Sequence, residues 1–406
     1  MKLLIGGSPC TFWSIAQKKD RETEASGLGW ELFLNYAISR DVFKPDYFLY
    51  ENNKSMSPKI RAQITEMLGV EPVLINSALV SAQNRQRLYW VGKRNAAGGY
   101  DTIPVEQPKD RGILLRDVLE SGVCWREKVY TLRASANTKQ GVSNILRHIE
   151  TNGRFGYQGV AEPVNDTDDG KCHTIKAQYY KNGVANFVTN GGFPASAVAE
   201  PVRIGTIESS AKNADFDSQQ YRVYSPDGKS VTLCGNGGGL GAKTGLYAIP
   251  TEVEGADGKT YPIYEVRDGR ITIKGKQYPI KLADGFYIIR KLTVTECKRL
   301  QTVPDSFEFP VSDTQAYKML GNGWTVDVIA HILGFMEGIR GGQQPLDVFS
   351  MYDGMACGHI ALDKLGANIR RYCATEIDPY CIKTATHNFP DIVELGDAFK
   401  IRGTEE

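Results

Sequence analysis

Residues 346–376 read LDVFSMYDGMACGHIALDKLGANIRRYCATE, and this stretch decides the fold. Leu346–Ser350 is a short apolar run, and Tyr352–Gly358 is a turn containing glycine. Ile360–Leu365 has helical character, and Tyr372–Thr375 is a second apolar run that ends on Glu376. Together they spell a βαβ unit. A glycine turn after a strand lets a ligand approach the backbone, and the next helix offers free N–H groups at its N-terminus. A carboxylate at the end of the second strand suits the vicinal hydroxyls of a ribose. Asp353, Gly354 and Met355, with Glu376, therefore point to a ligand bearing a nucleoside. The turn is not GxGxxG, and taken alone it reads equally well as a plain strand-to-helix connection. Further on, Gly396-Asp397-Ala398 sets Asp397 at the end of a third strand, in reach of an adenine amino group.

Working outward, residues 1–95 also read as α/β. Lys2–Ile5 is a strand, Trp30–Ile38 has helical spacing, and Tyr47–Tyr50 is a strand running into Glu51-Asn52-Asn53. Pro58–Met67 is helical, with proline at its start; Val73–Asn76 and Arg87–Val91 are further strands. Residues 96–286 differ. They hold 25 of the 42 glycines, and their short β-branched runs are broken by Gly, Asn and Asp. That composition predicts twisted β-ribbons and long loops, with a degenerate repeat at Ala161-Glu162-Pro163-Val164 and Ala199-Glu200-Pro201-Val202. Residues 287–406 return to α/β, with a helix over 293–300 capped by Thr293 and a second over Val326–Met336. Arg340-Gly341-Gly342-Gln343-Gln344-Pro345 reads as a linker. The expected architecture is a Rossmann-like α/β sheet in two halves, 1–95 and 287–406, with a mostly-β recognition domain inserted over 96–286.

The composition excludes several classes. The chain has 406 residues, 41% hydrophobic and 23% charged, with a formal net charge of +1. Apolar runs are too short to span a bilayer, and the N-terminus lacks the apolar core of a signal peptide. A net charge near zero means that any nucleic acid would be held in a local basic cleft. Eight cysteines without a CxxC pair and five scattered histidines read as reduced thiols, with neither a disulfide framework nor a metal site.

Cys10 follows Pro9 where the first strand enters a loop, a place for an exposed nucleophile, although a lone cysteine is more often a core residue. Glu51 ends the next strand, so a thiol and a carboxyl would reach the same sheet edge. In Gln83-Asn84-Arg85-Gln86-Arg87, alternation would put two guanidinium groups on one face, suited to a phosphate or a carboxylate.

As a set, these residues resemble the cytosine-5 DNA methyltransferase family, over everything but the middle segment. Gly6-Gly7-Ser8-Pro9-Cys10 looks like the family's nucleophile motif, and Glu51-Asn52-Asn53 like its Glu-Asn-Val motif. Gln83–Arg87 matches Gln-x-Arg-x-Arg, and Leu320-Gly321-Asn322-Gly323 looks like Gly-Asn-Ser. Arg290–Thr293, Glu296, Arg299–Gln301 and Pro304–Phe307 match the Arg-x-Leu-Thr…Pro-Asp-x-Phe region, and Tyr352–Gly358, Glu376 and Gly396-Asp397 resemble the cofactor motifs. The nucleophile motif precedes the cofactor motifs, the reverse of most members, which reads as a circular permutation. Trp324 and the variant Asn53 are closer to the de novo branch and to phage enzymes.

The resemblance implies methyl transfer from S-adenosylmethionine to carbon 5 of a cytosine flipped from duplex DNA, without a metal. Cys10 would attack carbon 6, Glu51 would bind the ring edge, Arg85 would hold the base or orient Glu51, and Arg87 would support the same site. Tyr352, Asp353, Gly354, Met355, Glu376, Ile377, Asp397 and Asn322 would hold the cofactor, Ile377 standing where an aromatic often stacks on adenine. Ser8, Pro9, Lys18, Asn52, Asn236 and Lys243 would face DNA, with Lys18, Lys19 and Arg21 in a loop that closes over it. The expected setting is the cytoplasm and nucleoid of a bacterium or phage-infected cell, with a cognate restriction endonuclease as a possible partner. An RNA cytosine-5 methyltransferase and a non-catalytic DNA-binding paralogue are the alternatives.

Overall fold

The computed structural model describes residues 1–9, 12–13, 21–120, 122, 129–130, 160–163, 203–206, 222–224, 246–247, 252–254, 260–273, 276–280, 282, 284–290 and 292–401. Cys10, Lys18, Asn236 and Lys243 lie outside these residues. The chain divides into a unit of Met1–Gly159 with Lys291–Glu406 and a unit of Val160–Arg290.

The first unit is built on one eight-stranded sheet. Its strands are β1 (Lys2–Gly6), β2 (Tyr47–Asn53), β3 (Pro72–Asn76), β4 (Gln86–Arg94), β5 (Tyr100–Thr102), β6 (Pro345–Met351), β7 (Asn368–Thr375) and β8 (Ile392–Glu394). They lie in the order β8-β7-β6-β1-β2-β4-β3, with β5 on β4. From β8 to β2 the pairs are parallel, and β4 runs antiparallel to β2, β3 and β5. Parallel strands need both faces covered. Accordingly Leu3, Leu4, Ile5, Phe48 and Leu49 are fully buried.

The helices that supply this cover are α1 (Leu28–Phe43), α2 (Pro58–Leu68), α3 (Val294–Leu300), α4 (Asp313–Asn322), α5 (Val326–Leu333), α6 (Cys357–Lys364) and α7 (Pro379–Asn388). Several starts follow local chemistry. Ser57 caps α2 by accepting from Ile60 N, with Pro58 at the first position. Thr293 and Glu296 form the reciprocal capping box of α3 that their spacing predicts. The helix expected over Val326–Met336 stops at Leu333, where Gly334 ends it.

The central strand joins the two ends of the chain. Register pairs Leu4 with Phe349 on one side and with Phe48 on the other, and Gly6 with both Met351 and Tyr50. Gly358, in the first turn of α6, packs directly on β1: a Cβ there would lie 2.2 Å from Ile5 Cδ1 and 3.0 Å from the Tyr372 hydroxyl.

The second unit is a β structure in its described residues. Its larger sheet has the order Lys276–Pro279, Arg270–Ile273, Thr260–Arg267, Gly285–Arg290, Val160–Pro163, with Glu252–Glu254 beside Thr260–Arg267. A smaller sheet joins Leu246–Tyr247, Arg222–Tyr224 and Arg203–Thr206. Of the repeat seen in the sequence, Ala161–Pro163 lies in a described strand, and the second copy lies outside the described residues. Among the described residues, no helix is long and apolar enough to cross a membrane.

Gly358→Ala forces a methyl group into a filled core, a change that costs about 1–3 kcal/mol. The urea midpoint of this variant is expected to fall, with an unchanged slope.

Candidate active site

In open α/β sheets, ligands collect where strands leave at their carboxyl ends and the strand order reverses. Here the reversal is at β1, whose neighbours β2 and β6 come from opposite parts of the chain. Ser8 and Pro9 after β1, Glu51 and Asn52 at the end of β2, Tyr352–Met355 after β6, Glu376 after β7 and Asp397 after β8 share this edge.

On the β1–β2 side a buried polar network fixes the backbone. Ser8 Oγ and the Tyr50 hydroxyl share a 2.7 Å hydrogen bond, and Asn52 Nδ2 donates to Ser8 O at 3.1 Å. Asn52 Oδ1 accepts from the Asn53 N–H at 2.8 Å. Asn52 is fully buried, so it serves this network; Pro9 is exposed. Gly7 lies against Glu51, where a Cβ would come within 2.8 Å of Glu51 O and 3.0 Å of its Oε2. The strand-to-loop junction before Cys10 thus tolerates only glycine at that point.

Glu51 is 8% exposed. Trp324 Nε1 donates to its Oε2 at 2.9 Å, and Arg87 Nε stands 3.0 Å from its Oε1 as an ion pair. Oε1 itself has no aligned hydrogen bond among the described residues. Arg85 has a different task from Arg87. It lies between the short strand Gln83–Asn84 and β4, and its guanidinium donates to Gly321 O at 3.2 Å and Gly323 O at 2.9 Å. Sequence alternation suggests one shared face for the two arginines; the structure instead puts Arg87 on the carboxylate and Arg85 on the turn that carries Trp324.

Arg21, expected among the DNA-facing cations, donates to Trp13 O at 3.3 Å and Ser55 O at 2.5 Å. Next to it, Glu22 accepts from Trp13 Nε1 at 2.9 Å and from Gly29 N at 3.0 Å. Both residues thereby anchor the described parts of this loop to the core.

The β6–β8 side is rich in acceptors. Asp353 Oδ1 accepts from Ser350 Oγ at 2.5 Å and from the Tyr372 hydroxyl at 2.7 Å, while its Oδ2 is buried without a hydrogen-bond partner among the described residues. Burial pushes its carboxyl up to about 6, against the lowering effect of those two hydrogen bonds. Glu376 Oε2 accepts from Gly354 N at 2.9 Å, and its Oε1 accepts from Ile377 N and Asp378 N at 2.8 and 2.9 Å. Oε2, with one bond, keeps acceptor capacity for a ligand hydroxyl, whereas Oε1 already accepts two. The turn geometry is strained in the same place: Tyr352 and Ala356 are left-handed, with φ of 59° and 63°.

 The Tyr352 hydroxyl donates to Leu32 O at 2.8 Å, which ties this turn to α1. Met355 is buried, Ile377 is 73% exposed, and Asn322 is exposed at the end of α4. Asp397 Oδ1 accepts from Phe399 N at 3.0 Å.

Two positions at this edge had no role assigned from the sequence. Trp324, noted there only for its likeness to the de novo branch, is the first. Glu394, at the end of β8, is the second: both its carboxylate oxygens are buried without partners among the described residues. Burial, then Asp353 and Glu376, pushes its carboxyl up to about 7. An acid breaking the apolar run Ile392-Val393-Glu394-Leu395 was the available signal. Cys357, also near this edge, is a packing residue. Its thiol is pushed up to about 12 by burial and contacts Trp324 O at 3.8 Å. Among the described residues, no group of three or more His, Cys, Asp and Glu is placed to hold a metal ion.

The raised carboxyls of Asp353 and Glu394 favour the fold when protonated. Their contribution is full at pH values below the ordinary carboxylate range and is lost as pH rises through about 6 and about 7. Thermal melts of the ligand-free protein should therefore show less loss of stability between pH 5.5 and pH 8 (assay values of about this range) in Glu394→Gln than in the parent.

Comparison with known proteins gives a consistent picture. The profile of a family described as "C-5 cytosine-specific DNA methylase" matches residues 1–337. An orphan methyltransferase of Bacillus phage rho11s, M.Rho11sI, is 27% identical over 286 residues, covering 58% of this chain and 54% of that protein. The chain thus spans about half the length of that relative. The orphan methyltransferase M.SPBetaI of Bacillus phage SPbeta is 24% identical over 332 residues, 74% of this chain and 68% of the relative. The type II methyltransferase M.HpaII of Haemophilus parainfluenzae is 24% identical over 344 residues, 80% and 69% of the two chains.

Proposed function

We propose, since the chain belongs to the C-5 cytosine-specific DNA methylase family, that it transfers a methyl group from S-adenosylmethionine to carbon 5 of a cytosine flipped out of duplex DNA. The observation that carries this reading is the buried Glu51 carboxylate, held between Arg87 and Trp324 beside the Gly7 junction that leads to Cys10.

Carbon 5 of cytosine is a weak nucleophile. Addition of the Cys10 thiolate to carbon 6 turns carbon 5 into an enamine carbon that can attack an electrophile; loss of the carbon 5 proton to a base then expels the thiolate, breaking the sulfur–carbon 6 bond and restoring the ring. Glu51 meets the ring at nitrogen 3 and the amino group, and stabilises the charge that the addition creates. Arg87 keeps the carboxylate in place, and the Ser8–Tyr50–Asn52 network keeps the preceding backbone rigid. The target base must leave the stack, at a cost of a few kcal/mol.

S-adenosylmethionine supplies the electrophilic methyl group when bound. The acceptor-rich edge fits it: Asp353 Oδ2 is buried without a hydrogen-bond partner among the described residues, Glu376 offers a carboxylate toward ribose hydroxyls, and the exposed Ile377 offers an apolar surface to adenine. Asp397 and Asn322 are assigned to the adenine amino group and the methionine end on the same reading. Pro9, with Lys18, Asn236 and Lys243, is assigned to the DNA side, whereas the buried Ser8 and Asn52 hold the backbone that leads to Pro9 and do not face DNA themselves.

The reading extends to the order of the chain. The family match ends at residue 337, yet β6, which begins at Pro345, pairs in parallel with β1. That combination supports a circularly permuted member, with the cofactor strands moved to the C-terminal side. The second unit is assigned to target recognition, and the cytoplasm to its place of action.

Nucleoside mass spectrometry of mixed-sequence duplex DNA, incubated with protein and S-adenosylmethionine, tests the proposal. 5-Methylcytosine is expected with the unsubstituted chain and none with Cys10→Ala. Glu51→Ala should lower the single-turnover rate by about 10²–10³-fold, the scale for removing one stabilising group. Unmodified DNA with folded, unsubstituted protein, or methylated transfer RNA instead, would overturn it.

A further inference from the structure

Trp324 is the one residue of the Gly321–Trp324 turn whose side chain reaches the base-binding carboxylate, through the 2.9 Å hydrogen bond from Nε1 to Glu51 Oε2. The turn behind it is clamped from several directions. Arg85 donates to the carbonyls of Gly321 and Gly323, and Gln301 Nε2 donates to Leu320 O at 2.6 Å. Gln301 also accepts from Thr325 Oγ1 at 2.9 Å, and Thr325 accepts in turn from Ser77 Oγ at 2.9 Å. Gly323 leaves no slack, because a Cβ there would lie 3.1 Å from Met319 O and 3.2 Å from Cys357 Sγ. The indole is therefore aimed by groups that are themselves buried and fixed.

We infer that Trp324 is a positioning residue for Glu51. This rests on the methyltransferase reading above. With Oε2 held by the indole N–H and Oε1 ion-paired to Arg87, the carboxylate is fixed from both ends and its rotation is blocked. The Trp324 carbonyl meets the Cys357 thiol in the first turn of α6. One residue thus spans the gap between the base-binding carboxylate and the turn assigned to the cofactor. Holding a catalytic group within a fraction of an ångström of its working position is a large part of what a preorganised site contributes.

The test replaces Trp324 with 3-benzothienylalanine, which keeps the shape of the indole but has sulfur in place of the N–H, and separately with Phe. Single-turnover methylation is measured at saturating DNA and S-adenosylmethionine, and cofactor affinity by equilibrium titration. A hydrogen bond to a charged group has a worth that predicts about a 10-fold or greater fall in rate for both variants. Cofactor affinity should stay within about threefold, a margin below one hydrogen bond. Because the isostere preserves packing, a merely structural role would leave its rate near that of the parent. A benzothienyl variant that keeps its rate within about threefold, or loses it only with an equal loss of cofactor affinity, overturns the inference. An inactive parent chain would overturn the methyltransferase reading and this inference together, whereas an active parent with an unaffected isostere overturns this inference alone.

Discussion

The parallel pairing of Lys2–Gly6 with Pro345–Met351 is the constraint on which the rest depends. The register sets Gly6 level with Met351, so Gly7-Ser8-Pro9 and Tyr352-Asp353-Gly354 leave the sheet side by side. A slip of one residue would move every β1 side chain to the opposite, differently packed face of the sheet. Filled contacts guard against it: Gly358 admits Ile5, and a Cβ at Gly6 would meet Met351 O and the Tyr36 ring at 3.0 Å. The same packing that makes the core thus aligns the two sides of the site.

The site divides into two kinds of polar surface. Around Ser8, Asn52 and Glu51, nearly every polar atom is committed, which gives a rigid wall. Around Asp353 and Glu394, buried acceptors have no partners among the described residues. Burying a polar atom without a partner costs free energy, and sites for ligands are where proteins carry that cost. One side holds its geometry before any ligand arrives. The other side leaves acceptors open, which suits the donors and positive charge of the proposed cofactor.

Local signals were legible where the physics is local. The Thr293–Glu296 box, the Ser57-Pro58 start and the alternation of strands and helices at both ends of the chain are written in short spacings. The carboxyl-edge residues followed from strand ends. Contacts over long sequence separations could not be read that way. Arg85 and Arg87 stand two residues apart, yet one serves carbonyls at Gly321 and Gly323 and the other serves Glu51. Trp324 lies 273 residues from the carboxylate it holds. Nothing in the spacing of Gly321-Asn322-Gly323-Trp324 announces that bond; it exists only once the sheet has brought both segments to one edge.

The same pairing has a consequence for synthesis. The Met1 amino group donates to Pro345 O, a contact across 344 residues, and β1 has β6 as one of its two neighbours. On the ribosome, this pairing cannot close until the residues 344 positions further along have been made. Contacts of such long range are slow to form, and the waiting strand exposes the apolar run Leu3-Leu4-Ile5 meanwhile. Until that pairing closes, Leu3-Leu4-Ile5 lacks one of its two strand neighbours, the kind of unpaired apolar edge on which folding intermediates aggregate.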